Sequence, residues 1–209
     1  MKTILIADDH EIVRRGVRMI IESLPEKYHF IEVTTCSEVL QAVTSGQVHY
    51  AILDMFMPDG NMFPVIQQVR DISPHTSILI YSMSAEKVYA RRLLQNGVRG
   101  FVSKQASIGE LENALRGFLK GDIYLSAEVK DILLKPVREG LPDNPIDLLS
   151  DRELEVVEYI VMGLGSKEIA QKMNLDITTV STYRRRALEK LEVENVVELK
   201  DKFLLYKMA

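Results

Sequence analysis

Five short apolar segments alternate with amphipathic stretches over the first 120 residues, and this alternation constrains the fold more than any other feature. The segments lie at residues 3–7, 28–34, 50–53, 77–81 and 98–102. Between them, apolar residues recur at the three- and four-residue spacing of a helix face. Strands that alternate with helices predict right-handed crossovers, and hence a doubly wound α/β fold with a parallel sheet covered by helices on both faces.

Charged and hydroxyl side chains follow directly after four of these strands. Asp8 and Asp9 follow the first strand, Asp54 the third, Ser82 the fourth and Lys104 the fifth. Because the carboxyl ends of parallel strands line one crevice, we expect these groups to lie close together. Neighbouring carboxylates repel unless a cation neutralises them, and hard oxygen ligands suit Mg²⁺. The ammonium group adds the charge that a phosphoryl group would need.

Length and composition limit the remaining possibilities. A chain of 209 residues accommodates two small domains, and a net charge of −4 with 46% hydrophobic residues is typical of a soluble protein. Cys36 is the only cysteine, which excludes an intramolecular disulfide and metal sites built on paired cysteines. We expect a cytoplasmic protein without a membrane partner, because no signal peptide or spanning apolar run is visible.

Residues 122–147 interrupt the alternation and predict a linker. Pro136, Gly140, Pro142 and Pro145 fall within ten residues of one another there. The expected domains are therefore residues 1–121 and residues 148–209, separated by this linker.

The second domain is predicted to be helical throughout. Ser150 and Glu153 form a capping box at the start of its first helix. Ser166 can cap the second helix, and Asp176 can cap a third that runs to about Leu191. A fourth helix is expected over residues 196–206. Its apolar stripe forms either a dimer surface or a cover for the third helix.

The third of these helices carries a basic outward face. Four basic residues lie between positions 178 and 190 against the single acidic residue Glu189, a local charge of +3. At 100° per residue, Thr182, Arg185 and Arg186 face away from the apolar side, and Ser181 lies on the flank. Two capped helices joined by a tight turn form a helix-turn-helix, whose second helix enters the DNA major groove.

These motifs carry a resemblance to a known family. Residues 1 to about 120 resemble a two-component receiver domain of flavodoxin-like (βα)₅ fold, and residues 149–191 resemble a LuxR/NarL-type DNA-binding domain. Together they resemble a LuxR/NarL-family response regulator. The motifs are Asp8-Asp9, Asp54-Met55-Phe56-Met57-Pro58, Ser82, Gly100-Phe101-Val102-Ser103-Lys104, Gly163-Leu164-Gly165-Ser166-Lys167-Glu168-Ile169-Ala170 and Thr179-Val180-Ser181-Thr182-Tyr183.

The receiver resemblance implies specific roles in the first domain. Asp54 is the expected phospho-acceptor, and Asp9, Asp54 and the backbone carbonyl of Phe56 are the expected Mg²⁺ ligands. Asp8 is expected to act mostly through water. Lys104 and Ser82 would hold the phosphoryl group. Pulling Ser82 inward would let Phe101 swing from exposed to buried and change the face built from the fourth helix, fifth strand and fifth helix.

The LuxR/NarL resemblance implies the DNA contacts and the partners. Base-facing candidates are Ser181, Thr182 and Arg185, and phosphate-facing candidates are Lys167, Arg186 and Lys190. The expected partners are a cognate sensor histidine kinase, double-stranded promoter DNA and a second copy of the chain, with RNA polymerase as a further candidate. The receiver would promote its own phosphorylation and dephosphorylation without being a turnover enzyme.

The sequence departs from the family pattern in the loop after Asp54. Met62 stands where receivers of this type usually have glycine, which questions the geometry of that loop. Phe56 is bulkier than the polar residue that is common there. We therefore hypothesise that Phe56 shields the acyl phosphate from water and lengthens its lifetime.

Two other functional classes compete with this interpretation. A Mg²⁺-dependent phosphohydrolase of the haloacid-dehalogenase kind also uses an aspartyl nucleophile, but it needs Asp-x-Asp where this chain has Asp8-Asp9-His10. The other is a pure interaction module whose carboxy-terminal helices bind protein. Residues 149–209 hold ten basic and eleven acidic residues, a net charge of −1 that is well short of a basic domain.

Overall fold

The structure, a computed structural model, describes residues 1–83, 93–126, 130 and 144–208. The chain divides into two compact units, Met1–Leu133 and Leu134–Ala209. Most of the linker expected at residues 122–147 lies outside the described residues, and so do Pro136, Gly140 and Pro142. In the described part of the chain, every helix is too short or too polar to cross a membrane.

The first unit alternates strands and helices, as the apolar pattern predicts. Helical residues 93–95 are labelled α4 here. The strands are β1 (Lys2–Ala7), β2 (Tyr28–Val33), β3 (Tyr50–Leu53), β4 (Ser77–Ser82) and β5 (Gly100–Ser103). The other helices are α1 (Glu11–Glu22), α2 (Cys36–Ser45), α3 (Met62–Ile72) and α5 (Ile108–Lys120). A two-residue hairpin, Phe56–Met57 with Gly60–Asn61, lies between β3 and α3.

The five strands form one parallel sheet in the order β2-β1-β3-β4-β5. The order reverses direction between β1 and β3, which is the switch point where open α/β sheets bind ligands. All four residues of β3 are buried, as expected for a strand covered by helices on both faces. The predicted doubly wound α/β fold is therefore confirmed.

Local sequence determines where several helices begin. The Thr35 side chain accepts a hydrogen bond from the Glu38 amide at the start of α2, and Glu38 completes the capping box. Ser107 caps α5 in the same way through the Glu110 amide. Each cap satisfies a backbone donor that the first helical turn would leave without a partner. Met62 is the fully buried first residue of α3, so the loop accommodates a side chain where glycine is usual.

The second unit contains a 3₁₀ turn (Pro145–Leu148) followed by four helices. They are α6 (Asp151–Val161), α7 (Ser166–Met173), α8 (Ile177–Lys190) and α9 (Val196–Met208). The Ser150–Glu153 capping box is present as predicted.

The cap expected at Ser166 is wrong. The N-cap residue of α7 is Gly165, whose backbone N–H donates to Glu168 Oε2 at 2.7 Å. Asp176 occupies the N-cap position of α8, but its carboxylate does not accept a hydrogen bond from an amide of the first helical turn.

Helix α9 packs against α6 within its own unit. Leu199 and Phe203 are almost completely buried there, whereas Val197 is 68% exposed. Leu199 and Phe203, two residues of the apolar stripe predicted for this helix, therefore belong to the core of the small unit. The side chain of Leu204 lies outside the described residues.

Gly97 provides a test of this fold. Its φ of +76° favours glycine, and an added Cβ would lie 3.0 Å from Arg70 Nε. Arg70 connects α3 to neighbouring loops, because its Nη1 donates to the Thr76 carbonyl at 2.8 Å.

We expect Gly97→Ala to lower the free energy of unfolding by about 1–2 kcal/mol in urea titrations, mainly through the strain of a left-handed backbone conformation. Gly16→Ala in α1 is the control, since that Cβ would contact nothing, and it should stabilise by about 0.5–1 kcal/mol. Equal effects would contradict this explanation.

Candidate functional site

The sheet ladder continues one residue past three strand ends and thereby aligns the crevice residues. The Asp8 amide donates to the Val33 carbonyl at 3.2 Å, and the Asp54 amide donates to the Ala7 carbonyl at 2.9 Å. The Lys104 amide likewise donates to the Ser82 carbonyl at 2.9 Å. Because these backbones are fixed by the sheet, their side chains project from one edge at fixed separations.

The Lys104 ammonium lies between two buried carboxylates. Lys104 Nζ is 2.6 Å from Asp8 Oδ2 and 2.5 Å from Asp54 Oδ2. The other carboxylate oxygen of Asp54 accepts from Ser82 Oγ at 2.5 Å and from the Met55 amide at 2.6 Å. Asp8 and Ser82 are at most 2% exposed, and Asp54 is 7% exposed. The structure therefore brings together four of the residues singled out from the sequence.

The pKa of Lys104 reflects this environment. Burial alone would lower the pKa of the ammonium, but hydrogen bonds and charge attraction from Asp54 and Asp8 outweigh it and raise the pKa above 10.5. The group is therefore cationic throughout the physiological range. Its contribution to stability is fully present below the unfolded-state pKa and is lost as the pH rises through the raised value.

Asp9 is the solvent-facing carboxylate of the site. Its side chain is 36% exposed, and Asp9 Oδ1 lies 2.7 Å from His10 Nδ1. His10 Nδ1 also lies 3.3 Å from Asp8 Oδ1, and the His10 backbone N–H donates to that oxygen at 2.9 Å. Asp8, Asp9 and His10 each offer one potential ligand atom, and these three atoms lie within 4.8 Å of one another.

The donor set fits a hard divalent cation. Asp8, Asp9 and Asp54 supply carboxylate oxygens, and one ammonium offsets only one of their three charges. Oxygen ligands at an open, acidic strand edge suit Mg²⁺, which retains several waters. Such an ion would supply charge neutralisation for a transferring phosphoryl group. Phe56, whose backbone carbonyl is the remaining expected ligand beside Asp9 and Asp54, lies in the short hairpin opposite Asn61.

The two expected switch residues both point inward. Phe101 in β5 is 2% exposed, and Ser82 Oγ donates to the Asp54 carboxylate. This is the arrangement that the receiver resemblance associates with the switched state.

Asp59, which the sequence analysis missed, connects the loop after Asp54 to α2. Its Oδ1 accepts from the Cys36 amide at 2.7 Å, and its Oδ2 accepts from the Ser37 amide at 3.0 Å and from Ser37 Oγ at 2.9 Å. Burial raises the pKa of Asp59, but these hydrogen bonds outweigh it and lower the pKa below 3.8. The Pro58-Asp59-Gly60 turn signal could have suggested a capping role, although the distant partner could not be inferred from it.

Arg14 is a second residue that sequence analysis missed. Its Nη1 donates to the Asp8 carbonyl at 2.8 Å, and its Nε lies 3.5 Å from Glu32 Oε2. The side chain therefore connects the backbone at the end of β1 to β2.

The second unit presents a basic helix face. Ser181, Arg185 and Arg186 on α8 are exposed, Thr182 is half-buried, and Lys167 on α7 is exposed. Val180 and Ala187 are fully buried on the opposite side of α8. Three residues, Asn174 to Asp176, separate α7 from α8, and Asn174 has a φ of +52°. This geometry is that of a helix-turn-helix.

Lys190 is engaged in an ion pair inside its own unit. Its Nζ lies 2.7 Å from Glu153 Oε2, and the Glu153 side chain is only 3% exposed. Burial raises the pKa of the Glu153 carboxyl. Hydrogen bonds from Lys190 and from the Ser150 backbone and hydroxyl outweigh this effect, so the pKa lies below its usual value of 4.5. The structure thus gives this lysine a structural contact that the sequence analysis did not anticipate.

Comparison with protein families identifies two domains in the chain. The model for the response regulator receiver domain matches residues 4–116, and the model for bacterial regulatory proteins of the luxR family matches residues 147–203. The chain is a response regulator of the LuxR family. It combines a receiver domain with a LuxR-type DNA-binding domain, as the sequence resemblance predicted.

Characterised relatives match over almost the whole chain. The oxygen regulatory protein NreC of Staphylococcus carnosus is 30% identical over 203 residues, covering 94% of both chains. The fimbriae Z protein of Salmonella typhimurium is 28% identical over 201 residues, covering 95% of this chain and 94% of its own. The response regulator UvrY of Escherichia coli is 27% identical over 200 residues, with coverages of 95% and 92%.

Solved structures of the RcsB response regulator share the architecture. One from Salmonella typhimurium has a TM-score of 0.79 at 27% identity, covering 99% of this chain and 100% of the other. A second, bound to promoter DNA in the presence of the phosphomimetic BeF₃⁻, has a TM-score of 0.75 at 28% identity, with coverages of 96% and 97%. The confirmed family membership makes the phosphohydrolase and pure protein-interaction alternatives unnecessary.

Removing the Asp59 carboxylate should destabilise the contact between the loop after Asp54 and the start of α2. We expect Asp59→Ala to lower the free energy of unfolding by about 1–2 kcal/mol at pH 7, the usual value of a lost helix cap. Because the pKa of Asp59 is lowered, this stabilisation is present at neutral pH and is lost as the pH falls through the folded-state value, below 3.8. Urea titrations at several pH values measure it. Asp71→Ala, an exposed carboxylate on α3, is the control, and an equal loss there would refute the assignment.

Lys190 and Arg186 should separate in their effects on stability. We expect Lys190→Met to lower the free energy of unfolding by about 1–3 kcal/mol, because it leaves the buried Glu153 carboxylate without its cation. Arg186→Met, on the exposed face, should change it by less than about 0.5 kcal/mol. Thermal and urea unfolding followed by circular dichroism distinguish the two. A neutral effect of Lys190→Met would favour the phosphate-contact role predicted from the sequence.

Proposed function

We propose that this response regulator is a phosphorylation-switched transcription factor in which Asp54 accepts the phosphoryl group. The observation that carries the proposal is the contact of the Asp54 carboxylate with both Lys104 Nζ and Ser82 Oγ, each at 2.5 Å. A nucleophile flanked by a cation and a hydroxyl donor suits phosphoryl transfer, which depends mainly on positioning and charge stabilisation.

The residues of the crevice would divide the chemistry among them. One Asp54 oxygen attacks phosphorus of a phosphohistidine or small acyl phosphate, and the bond to the donor breaks. Asp9, Asp54 and the Phe56 carbonyl would hold Mg²⁺, with Asp8 acting mostly through water. Lys104 then shifts from the free carboxylate to the new phosphoryl oxygens. The receiver would in this way promote its own phosphorylation and hydrolysis without turning over a separate substrate.

The conformational readout would begin at Ser82. Its hydroxyl can move from the carboxylate to a phosphoryl oxygen, and Phe101, which is already buried in the adjacent strand, would then be held in its inward position. Both side chains belong to neighbouring strands of the sheet, β4 and β5. The change would therefore reach the surface formed by β5 and the helices beside it.

The DNA-binding unit would read promoter DNA with α8. Ser181, Thr182 and Arg185 are the proposed base-facing residues, and Lys167 and Arg186 are the proposed phosphate contacts. Lys190 pairs with Glu153, but its side chain is still 41% exposed. It would therefore contribute to phosphate binding only through this exposed part. A homodimer would match half-sites related by inverted symmetry.

The partners follow from this assignment. A cognate histidine kinase would supply the phosphoryl group in the cytoplasm, and promoter DNA would be the target. An RNA polymerase contact is a further expectation of a transcription factor. One related RcsB structure contains promoter DNA, and another contains two RcsB dimers bound to two parallel DNAs. These structures support the proposal that this chain binds DNA and forms a dimer.

Replacing Phe56 tests its proposed shielding role. We expect Phe56→Asn to accelerate release of inorganic phosphate from the phosphorylated protein, because the half-buried ring lies two residues from the acceptor and its loss admits water. A phosphate-release assay after removal of the donor measures the decay. Phe30→Asn, a half-buried ring in β2, is the control and should leave the decay rate unchanged. Identical decay of wild type and Phe56→Asn would end the shielding hypothesis.

Duplex binding tests the proposed function as a whole. We expect fluorescence anisotropy with a random-sequence duplex to show tighter binding after incubation of the full chain with acetyl phosphate and Mg²⁺, and no such gain for Asp54→Ala. Each phosphate contact should steepen log K against log salt by about one unit, so Arg186→Gln should reduce the slope by about that amount. Equal duplex binding by both proteins before and after incubation would contradict the switch.

A further inference from the structure

One exposed face of α8 carries three chemically different side chains in successive turns. Ile177, Ser181 and Arg185 are spaced four residues apart, so they lie along one side of the helix. All three are exposed, and Ile177 is 49% exposed at the first residue of the helix. From the helix start onward the face is apolar, then hydroxyl, then cationic.

Two hydroxyl groups in the second turn of α8 already donate to the helix backbone. Ser181 Oγ donates to the Ile177 carbonyl at 2.9 Å, and Thr182 Oγ1 donates to the Thr178 carbonyl at 2.9 Å. Each hydroxyl has a single proton, so both side chains present acceptor lone pairs and carbon atoms outward. Ser181 and Thr182 therefore offer little hydrogen-bond donation to a ligand, and the exposed residue one turn before Ser181 on this face is the apolar Ile177.

Ile177 has no evident structural reason for its exposure. Isoleucine is β-branched and is a weaker helix former than the long polar residues usual at a solvated position. A single exposed apolar residue is common on a protein surface, but this one begins the face that carries Arg185. The first residues of a recognition helix are the ones that reach base edges in the major groove.

The chemistry of the major groove supplies one apolar partner for such a residue. Thymine projects its C5-methyl group there, whereas the other base edges present hydrogen-bond donors and acceptors. Arg185, two turns further along, suits guanine O6 and N7 once DNA draws it from Glu189, where its Nη1 now lies 2.7 Å from Oε1.

We propose that Ile177 is a specificity-determining residue that contacts a thymine methyl group in each DNA half-site. This inference rests on the proposed function, since it requires α8 to lie in the major groove. It adds a base preference for thymine opposite the start of α8, separated from the base that Arg185 reads.

Removing a single methyl group from DNA tests the contact directly. The full chain, treated with acetyl phosphate and Mg²⁺, first selects duplexes from a library with a randomised central segment. In the recovered sequence, deoxyuridine then replaces thymidine at one position after another, and anisotropy gives each affinity. We expect one thymine per half-site whose lost methyl weakens binding about fourfold, and about fifteenfold when both half-sites are changed.

The protein variants complete a double-mutant cycle. For Ile177→Ala, the same deoxyuridine substitution should have no effect, because the contact is already absent. Val197→Ala is the matched control, since Val197 is an exposed β-branched residue in the first turn of α9, and it should keep the full methyl dependence. Ile177→Val should keep part of it. In the converse test, cytosine replaces that thymine, and adding a methyl group at C5 of the cytosine should recover binding by wild type and by Val197→Ala but not by Ile177→Ala.

The outcomes separate this inference from the proposed function. Specific binding in which every methyl deletion affects wild type and Ile177→Ala equally would overturn the role of Ile177 and leave DNA binding intact. Failure of all variants to retain any duplex would overturn the DNA-binding proposal and this inference with it.

Discussion

The ion pair between Lys104 and two carboxylates from neighbouring strands is the interaction on which the proposed chemistry depends. Three like charges at one sheet edge would repel, and the ammonium, 2.5 Å from Asp54 and 2.6 Å from Asp8, offsets part of that repulsion. The pair forms because the parallel sheet order places β1 and β3 side by side and β5 within side-chain reach. Its attraction also outweighs the burial cost for Lys104, so the cation stays charged where a phosphoryl group would need it.

The contacts of Asp54 also connect chemistry to conformation. The carboxylate oxygen that does not face Lys104 accepts a hydrogen bond from Ser82, which lies at the end of β4. Phe101 is buried in the adjacent strand, β5. A phosphoryl group on Asp54 would therefore add charge next to a hydroxyl and a core aromatic ring in the same part of the sheet. A small charge change of this kind can select between two packings.

Local and periodic features were predictable from the sequence, and long-range contacts were not. The strand positions and the Ser150–Glu153 capping box depend on residues within one element, and the structure places them within one or two residues of the prediction. By contrast, Lys190 pairs with Glu153 across 37 positions, and Asp59 caps α2 across 22 and 23 positions. No periodicity encodes such pairs. Ser166 was predicted to cap α7, but the helix begins one residue earlier. Gly165 is its N-cap residue, and the Gly165 amide donates to the Glu168 side chain.

The acceptor role of Asp54 is the central claim, and intact-mass spectrometry tests it most directly. Wild type and Asp54→Asn are incubated with acetyl phosphate and Mg²⁺, and the mass of each full chain is recorded. Because the site holds one carboxylate in contact with both Lys104 and Ser82, we predict a single phosphoryl adduct on the wild type and none on the variant. An adduct of equal abundance on Asp54→Asn would contradict the account, since the acceptor would then lie elsewhere in the chain.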